Sequence, residues 1–386
     1  FYGARSALEL VPQVSRVIAS PLRRLQCHNL PLMRMTDPQI ASSRVQLALP
    51  VICGLTILPI YGLARRTAGK QVALWAAALY PLVPSFNLWF ARWDAFYALL
   101  AATTWLLFYV GLVETRWAPL VASGLLLSVV SWLSFGCLAL LLPMISWGTL
   151  WLITHRDAWS WKALATGALA FGVGLMSVWV SYRVVFGVGF LDVWRASMSE
   201  HLGLGRSYWV WVGYHIYDFF AFLGAPLAAL FLVALWRTFR GFRGDDALLL
   251  PIGFALGLIL IDLSGMSQGE AARVWLFLTP FVTIAAASGL EALANRLPHV
   301  VAVFSLLAVQ LLAFNASLSV VNTRLYDPPE RQLSLVNPAF SVPWEARFGD
   351  RIRLLGYDVS PQPFRAGDTI ELHLFWQPFS WIHRTY

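Results

Sequence analysis

Two short segments set opposite charges beside long apolar runs. In "FARWDAFYALL", residues 90–100, Arg92 and Asp94 stand at the foot of one such run, and in "SGMSQGEAARVW", residues 264–275, Glu270 and Arg273 precede another. An arginine fork grips an oxyanion with two hydrogen bonds. A carboxylate about 3 Å from a hydroxyl can take its proton. A third polar group lies in 186–214, with Asp192, Arg195, Glu200, His201, Arg206 and Tyr208, and a fourth in "QCHNLPLMR", which brings His28 and Asn29. Charges at the lip of a bilayer are sparse and often functional. Several on one face describe a membrane protein with an outward-facing polar pocket.

Each group also has a plain structural role to weigh. Arg92 can set topology while Asp94 caps a helix, since aspartate is a favoured N-cap. Glu270 and Arg273, three apart at a helix start, can form a local ion pair that adds about 0.2–0.5 kcal/mol. His155 and His201 read as loop residues, and no HxxxH or CxxC spacing supports a metal. Asp262, near the outer end of an apolar run, reads as solvated there.

The elements that must position these residues are membrane helices. The chain of 386 residues is 58% hydrophobic but only 12% charged. That is about half the charge of soluble domains. Its 19 Trp and 25 Phe suit aromatic belts at two lipid–water interfaces. Runs of roughly 20 apolar residues predict about ten spans: 46–64, 72–90, 95–113, 118–134, 137–154, 162–185, 215–236, 248–264, 274–293 and 299–319. The pair 118–134 and 137–154 also reads as one long helix plus a re-entrant piece, because Ser134–Gly136 is a weak break.

The net charge of +8 sits mostly in short loops between these runs, so topology and anionic lipid explain it and nucleic acid is not expected. One set of alternate loops holds Arg65, Arg66, Lys70, Arg116, Arg156, Lys162, Arg237, Arg240, Arg243 and Arg296; the other holds Arg92, Arg183, Arg195, Arg206 and Arg273. The richer set is expected in the cytoplasm, although the N-terminal arm adds arginines to the outer side. That arm repeats Ala7, Val11, Val14, Ile18, Leu22 and Leu25 at helical spacing, which predicts an interfacial helix.

Three cysteines make no disulfide framework. After residue 320 a polar, proline-bearing linker leads to "RIRLLGYDV" and "DTIELHLFW", whose alternation predicts two strands. The expected organisation is an external arm over 1–43, a transmembrane domain over 44–320, a linker over 321–338, and the opening of a truncated external β-sandwich over 339–386.

The stretch running from "HNLPLMR" through "LARRTAGK" to "NLWFARWDAFYALL" resembles the GT-C class of membrane glycosyltransferases. In particular it is similar to the dolichyl- or polyprenyl-phosphate-mannose–protein mannosyltransferase superfamily, family 39 and its bacterial relatives. His28 and Pro31 match the family's His-then-proline element loosely, Arg44 precedes a span, 63–70 matches a basic turn, and Asp94 takes the place of an aspartate that opens a later span. "SQGEAARVWLFLTP" is similar to a segment of bacterial members, and the C-terminal strands look like a β-sandwich appended to some of them.

The resemblance implies an integral-membrane enzyme of the extracytoplasmic face. It would move a sugar from a polyprenyl-phosphate donor to a lipid, glycan or protein acceptor, with inversion. Asp94 would be catalytic, and Arg92, Arg273, Arg206, Glu270, His28, Asn29 and Tyr208 would bind donor phosphate or substrate. A divalent cation is the one cofactor left open. The family's acidic pair after its first span has no counterpart, so Phe1 is expected to lie just downstream of it and the chain to be inactive as it stands. The competing reading is a polytopic transporter or lipid flippase. Such proteins place charges near mid-bilayer and carry paired broken helices in repeated halves, and no internal repeat is visible here.

Overall fold

Where an apolar run is long enough, lipid leaves the backbone no partner but itself, so the run becomes a helix. The computed structural model describes residues 12–23, 35–90, 92–202, 207–241, 246–265, 269, 271–293, 297–318, 342–348, 352–359 and 370–378. The chain divides into two units, Phe1–Leu318 and Ser319–Tyr386.

The first unit contains α1 (Pro12–Arg23), α2 (Asp37–Gly54), α3 (Ile57–Leu79), α4 (Pro84–Trp89), α5 (Trp93–Val113), α6 (Trp117–Leu133), α7 (Leu141–Thr154), α8 (Trp161–Phe186), α9 (Phe190–Leu202), α10 (Tyr208–Leu223), α11 (Ala225–Gly241), α12 (Asp246–Leu263), α13 (Ala271–Val274), α14 (Thr279–Leu293) and α15 (Leu297–Ser317). It is a multi-span helical bundle. Its centre is α14, buried at every residue from Thr279 to Leu290, with Phe281 packed 4.3 Å from the Trp105 ring of α5. The outermost helices bury little: α15 covers only Val300 and Leu307, and α8 only Gly167, Gly174 and Trp179. Their exposed leucines and valines have a bilayer as their natural surroundings.

Glycines set the tightest helix contacts. A Cβ on Gly124 of α6 would lie 2.1 Å from the Phe171 carbonyl oxygen of α8, and one on Gly174 would lie 2.2 Å from that of Val121. The two backbones therefore touch, the small-residue packing that membrane helices use in place of a hydrophobic effect. Likewise a Cβ on Gly257 of α12 would fall 2.1 Å from the Pro143 Cα of α7.

About ten spans were expected. Six described stretches are long and apolar enough to cross a membrane, Asp37–Leu82, Trp93–Val113, Phe135–Thr154, Trp161–Phe186, Leu276–Leu293 and Leu297–Ser317, or seven if α10 and α11 count as one. The difference has local causes. Run 118–134 forms α6, a helix of 17 residues. Such a helix rises about 26 Å, short of a hydrocarbon core of about 30 Å. Run 248–264 likewise becomes the shorter apolar helix Leu249–Leu263. Run 215–236 is bent by 111° between α10 and α11, at Gly224 with φ +110°. Here the Ala225 amide donates to Gln310 Oε1 at 2.9 Å, and Gln310 Nε2 donates to the Ala221 carbonyl at 3.3 Å.

Runs 46–64 and 72–90 merge into one helical stretch, which if straight would measure about 69 Å. Gly69, non-helical at φ 89° and ψ 176° inside the basic turn, interrupts it. Runs 118–134 and 137–154 are separate helices, joined through the 3-10 turn Phe135–Leu140.

The arm differs in its packing face. Helix α1 forms, but Ser15 and Ala19 are its buried residues while Val14 is 47% exposed. Small side chains let α1 lie close on α2, where the Arg44 guanidinium donates to the Ile18 carbonyl. Segment 186–214, the third of the polar groups, contains α9. Its Asp192 accepts from the Gly189 amide at 2.8 Å and pairs with Arg183 of α8 at 2.8 Å.

The second unit is one open antiparallel sheet, β1 (Val342–Phe348), β2 (Ile352–Val359) and β3 (Leu372–Pro378), in the order β1-β2-β3. Tyr357 pairs with Val342 on one side and Leu374 on the other. β1 adds a strand that the alternation did not predict. Pro343 lies beside a bulge on this edge strand, where a missing amide is tolerated. Among the described residues there is no second layer, so a β-sandwich is not established.

Helix α5 has 21 residues, enough for a length of about 32 Å, and it offers a direct test of crossing. In a cysteine-free background, Arg92→Cys and Arg116→Cys are expected to react with an impermeant maleimide from opposite sides of sealed membranes. Reaction of both from one side would remove α5 from the list of spans.

Candidate functional site

The site forms where the start of α5 meets the segment after α12. Arg92 holds the N-cap position of α5 in an extended conformation; its amide donates to the Trp89 carbonyl at 2.8 Å and its carbonyl accepts from the Ala95 amide at 3.2 Å. Asp94 is therefore not the cap, as had been weighed, but sits in the first turn. There its carboxylate suits the positive end of the helix dipole. Its Oδ1 lies 4.0 Å from Arg273 Nε of α13, with the two side chains 30% and 36% exposed. A half-open pair of this kind contributes at most about 1 kcal/mol to stability. What it does is bring together two residues far apart in the chain.

The segment carrying Arg273 is held by one stripe of α10. Tyr208, Trp211, His215 and Asp218 recur at spacings of three, four and three, which places them on one helix face. The Tyr208 hydroxyl donates to the Leu263 carbonyl at 2.7 Å. His215 Nδ1 lies 3.0 Å from Asp262 Oδ1, and His215 Nε2 accepts from the Gly269 amide at 3.2 Å. Asp218 Oδ2 accepts from the Ala272 amide at 2.8 Å. Two rings contact the imidazole, Trp211 stacked with centroids 5.4 Å apart and Trp275 tilted at 5.3 Å. Gly265 and Gly269, at φ 64° and φ 131°, take backbone conformations at either end of the connection that favour glycine.

The sequence-derived candidates divide as follows. Asp94 and Arg273 come together, and Arg92 lies exposed two residues before Asp94. Tyr208 stands at the same end of the bundle, its hydroxyl donating to the Leu263 carbonyl and its ring lying against Gly265. His28, Asn29, Arg206 and Glu270 lie outside the described residues, so the expected Glu270–Arg273 pair does too. Asp262, expected to be solvated, is 5% exposed and bonded to a histidine 1% exposed. His155 has a local role, stacked on Trp151 at 4.7 Å. Among the described residues no three His, Cys, Asp or Glu side chains gather as a metal site.

Sequence reasoning passed over His215 and Asp218. The available signal was "YHIYDFF", two ionisable residues three apart inside an apolar run, the pattern that marks a polar site within a membrane.

Comparison with models of known protein families, with curated proteins and with solved structures finds no match. The fold by itself establishes a polytopic, mostly helical membrane protein, with Asp94 and Arg273 meeting at one end of its bundle.

Proposed function

We propose that the chain is a membrane glycosyltransferase that moves a sugar from a polyprenyl-phosphate donor to an acceptor hydroxyl at the extracytoplasmic face. The observation that carries this reading is the meeting of Asp94 with Arg273, half open, at the end of a lipid-embedded bundle. A lipid-linked donor holds its phosphate at headgroup level, so the cation that receives it belongs at a helix end.

In the proposed step the acceptor oxygen attacks the anomeric carbon from the face opposite the phosphate. The bond from that carbon to the phosphate oxygen breaks, and its electron pair leaves with the lipid phosphate. Arg273 stabilises the charge that develops there, and Arg92, exposed two residues before Asp94, is the second cation assigned to the phosphate. Asp94 orients the acceptor hydroxyl and takes its proton. The configuration at the anomeric carbon is inverted.

One observation favours a carrier instead. Helices α10 and α11 meet at a 111° break, and transporters bind their substrates at discontinuous helices. The two readings separate in sealed vesicles loaded with labelled polyprenyl-phosphate sugar. A transferase moves label onto an added acceptor and is silent without one. Movement of label across the bilayer with no covalent product would replace the transferase by a carrier.

A further inference from the structure

His215 and Asp218 lie three residues apart on one face of α10, and the amides they bind, Gly269 and Ala272, are also three apart. Two parallel hydrogen bonds thus fix the chain on the approach to Arg273. Gly269, at φ 131°, is the residue there with the most backbone freedom to lose. The tautomer of His215 follows from its partners. Because Nε2 accepts from the Gly269 amide, the proton is on Nδ1 and is donated to Asp262.

With both ring nitrogens engaged and 1% exposure, His215 has no nitrogen to offer a substrate. A buried histidine–carboxylate pair is also a poor source of stability, because well-packed apolar residues would do as well or better. Its placement has a geometric result instead. It seats the chain whose next turn carries Arg273 to within 4.0 Å of Asp94.

We propose that His215 and Asp218 are positioning residues, which dock the backbone at Gly269 and Ala272 so that Arg273 stands opposite Asp94. The value of this docking to sugar transfer rests on the transferase reading, but the docking itself does not.

The test reads geometry without substrate. In the full chain with Cys27→Ser, Cys53→Ala and Cys137→Ala, cysteines replace Asp94 and Arg273, and a short bis-maleimide measures their proximity in membranes. The two replacements remove the ion pair, so the contribution of the backbone docking is read without it. Asp218→Ala is expected to lower cross-linking about tenfold, the equilibrium effect of one charge-assisted hydrogen bond, and His215→Phe, which removes a neutral acceptor, about two- to tenfold. Asp218→Asn is expected to retain it, because the carboxamide oxygen still accepts from the Ala272 amide.

Wild-type cross-linking in both Asp218→Ala and His215→Phe overturns the proposal. So does an Asp218→Asn variant that cross-links as poorly as Asp218→Ala. If Asp218→Ala does not accumulate, His215→Phe, which keeps a ring between Trp211 and Trp275, decides the matter alone. The readings fail separately: no transfer from a labelled polyprenyl-phosphate sugar to any added acceptor by the wild-type protein would end the transferase proposal without touching the cross-link result.

Discussion

Asp94→Asn is expected to slow transfer from a polyprenyl-phosphate sugar by about 10²–10⁴-fold, the range that a positioned general base supplies. Asparagine keeps the size and a hydrogen-bonding oxygen but cannot take a proton. Insertion and abundance should hardly change, because Asp94 is 30% exposed and its pairing with Arg273 spans 4.0 Å. Arg273→Gln is expected to cost about 10²–10³-fold by removing the charge that meets the leaving phosphate. Combined, the two substitutions should cost less than the product of the separate losses, since they disable one transition state. Initial rates with a labelled donor, in membranes carrying the full chain, measure all three. An Asp94→Asn protein with normal rates would take Asp94 out of the chemistry altogether.

The second large effect is on stability. Gly174→Ala would set its Cβ 2.2 Å from the Val121 carbonyl oxygen and 2.7 Å from the Leu125 amide nitrogen. Both atoms are backbone, so no side-chain rotation relieves the contact and α6 and α8 must separate. The cost is expected to be about 2–3 kcal/mol, at the upper end for overpacking. That corresponds to a loss of roughly 3–5 °C in apparent Tm for a bundle of about 300 residues. Gly172→Ala is the control. It lies on the same helix with nothing within 4 Å of its Cβ, and alanine there is expected to be neutral or slightly stabilising. Heating detergent extracts and following the monodisperse fraction tests both. Equal melting of the two variants would show that the helices yield at this crossing.

The hydrophobic runs made the bundle readable from sequence, because lipid enforces helix wherever such runs are long enough. What they could not reveal was how helices break. Gly224 and Gly69 look like any glycine in an apolar stretch, yet one marks a 111° corner and the other interrupts a helical stretch of 46 residues. The arm shows a second limit. Its large apolar residues defined a helix, but the face that packs is set by Ser15 and Ala19, which permit close approach and carry little hydrophobic signal. In the C-terminal unit, Pro343 and a bulge disguised β1, leaving only β2 and β3 with clear alternation.

The candidate site was legible in part. Asp94 and Arg273 stood out as charges beside apolar runs, and the structure joins them. The supports beneath them did not stand out, because periodicity treats His215 and Asp218 as interruptions of a span. Asp262 was misjudged for a related reason. Its place near the end of a run suggested water, whereas the Trp211 and Trp275 rings around its histidine partner build an enclosed setting that exists only after folding.

The corner at Gly224 bears on the order in which the protein is made. Its two exposed backbone groups, the Ala221 carbonyl and the Ala225 amide, are met by a single carboxamide, that of Gln310. Gln310 lies 85 residues downstream of Ala225, so during synthesis the bend leaves the ribosome well before its partner does. Until α15 arrives, those two groups lack the carboxamide that meets them in the folded bundle. Helix α15 thus supplies the corner's carboxamide only after the corner itself has been made, even though almost all of its surface is given over to lipid.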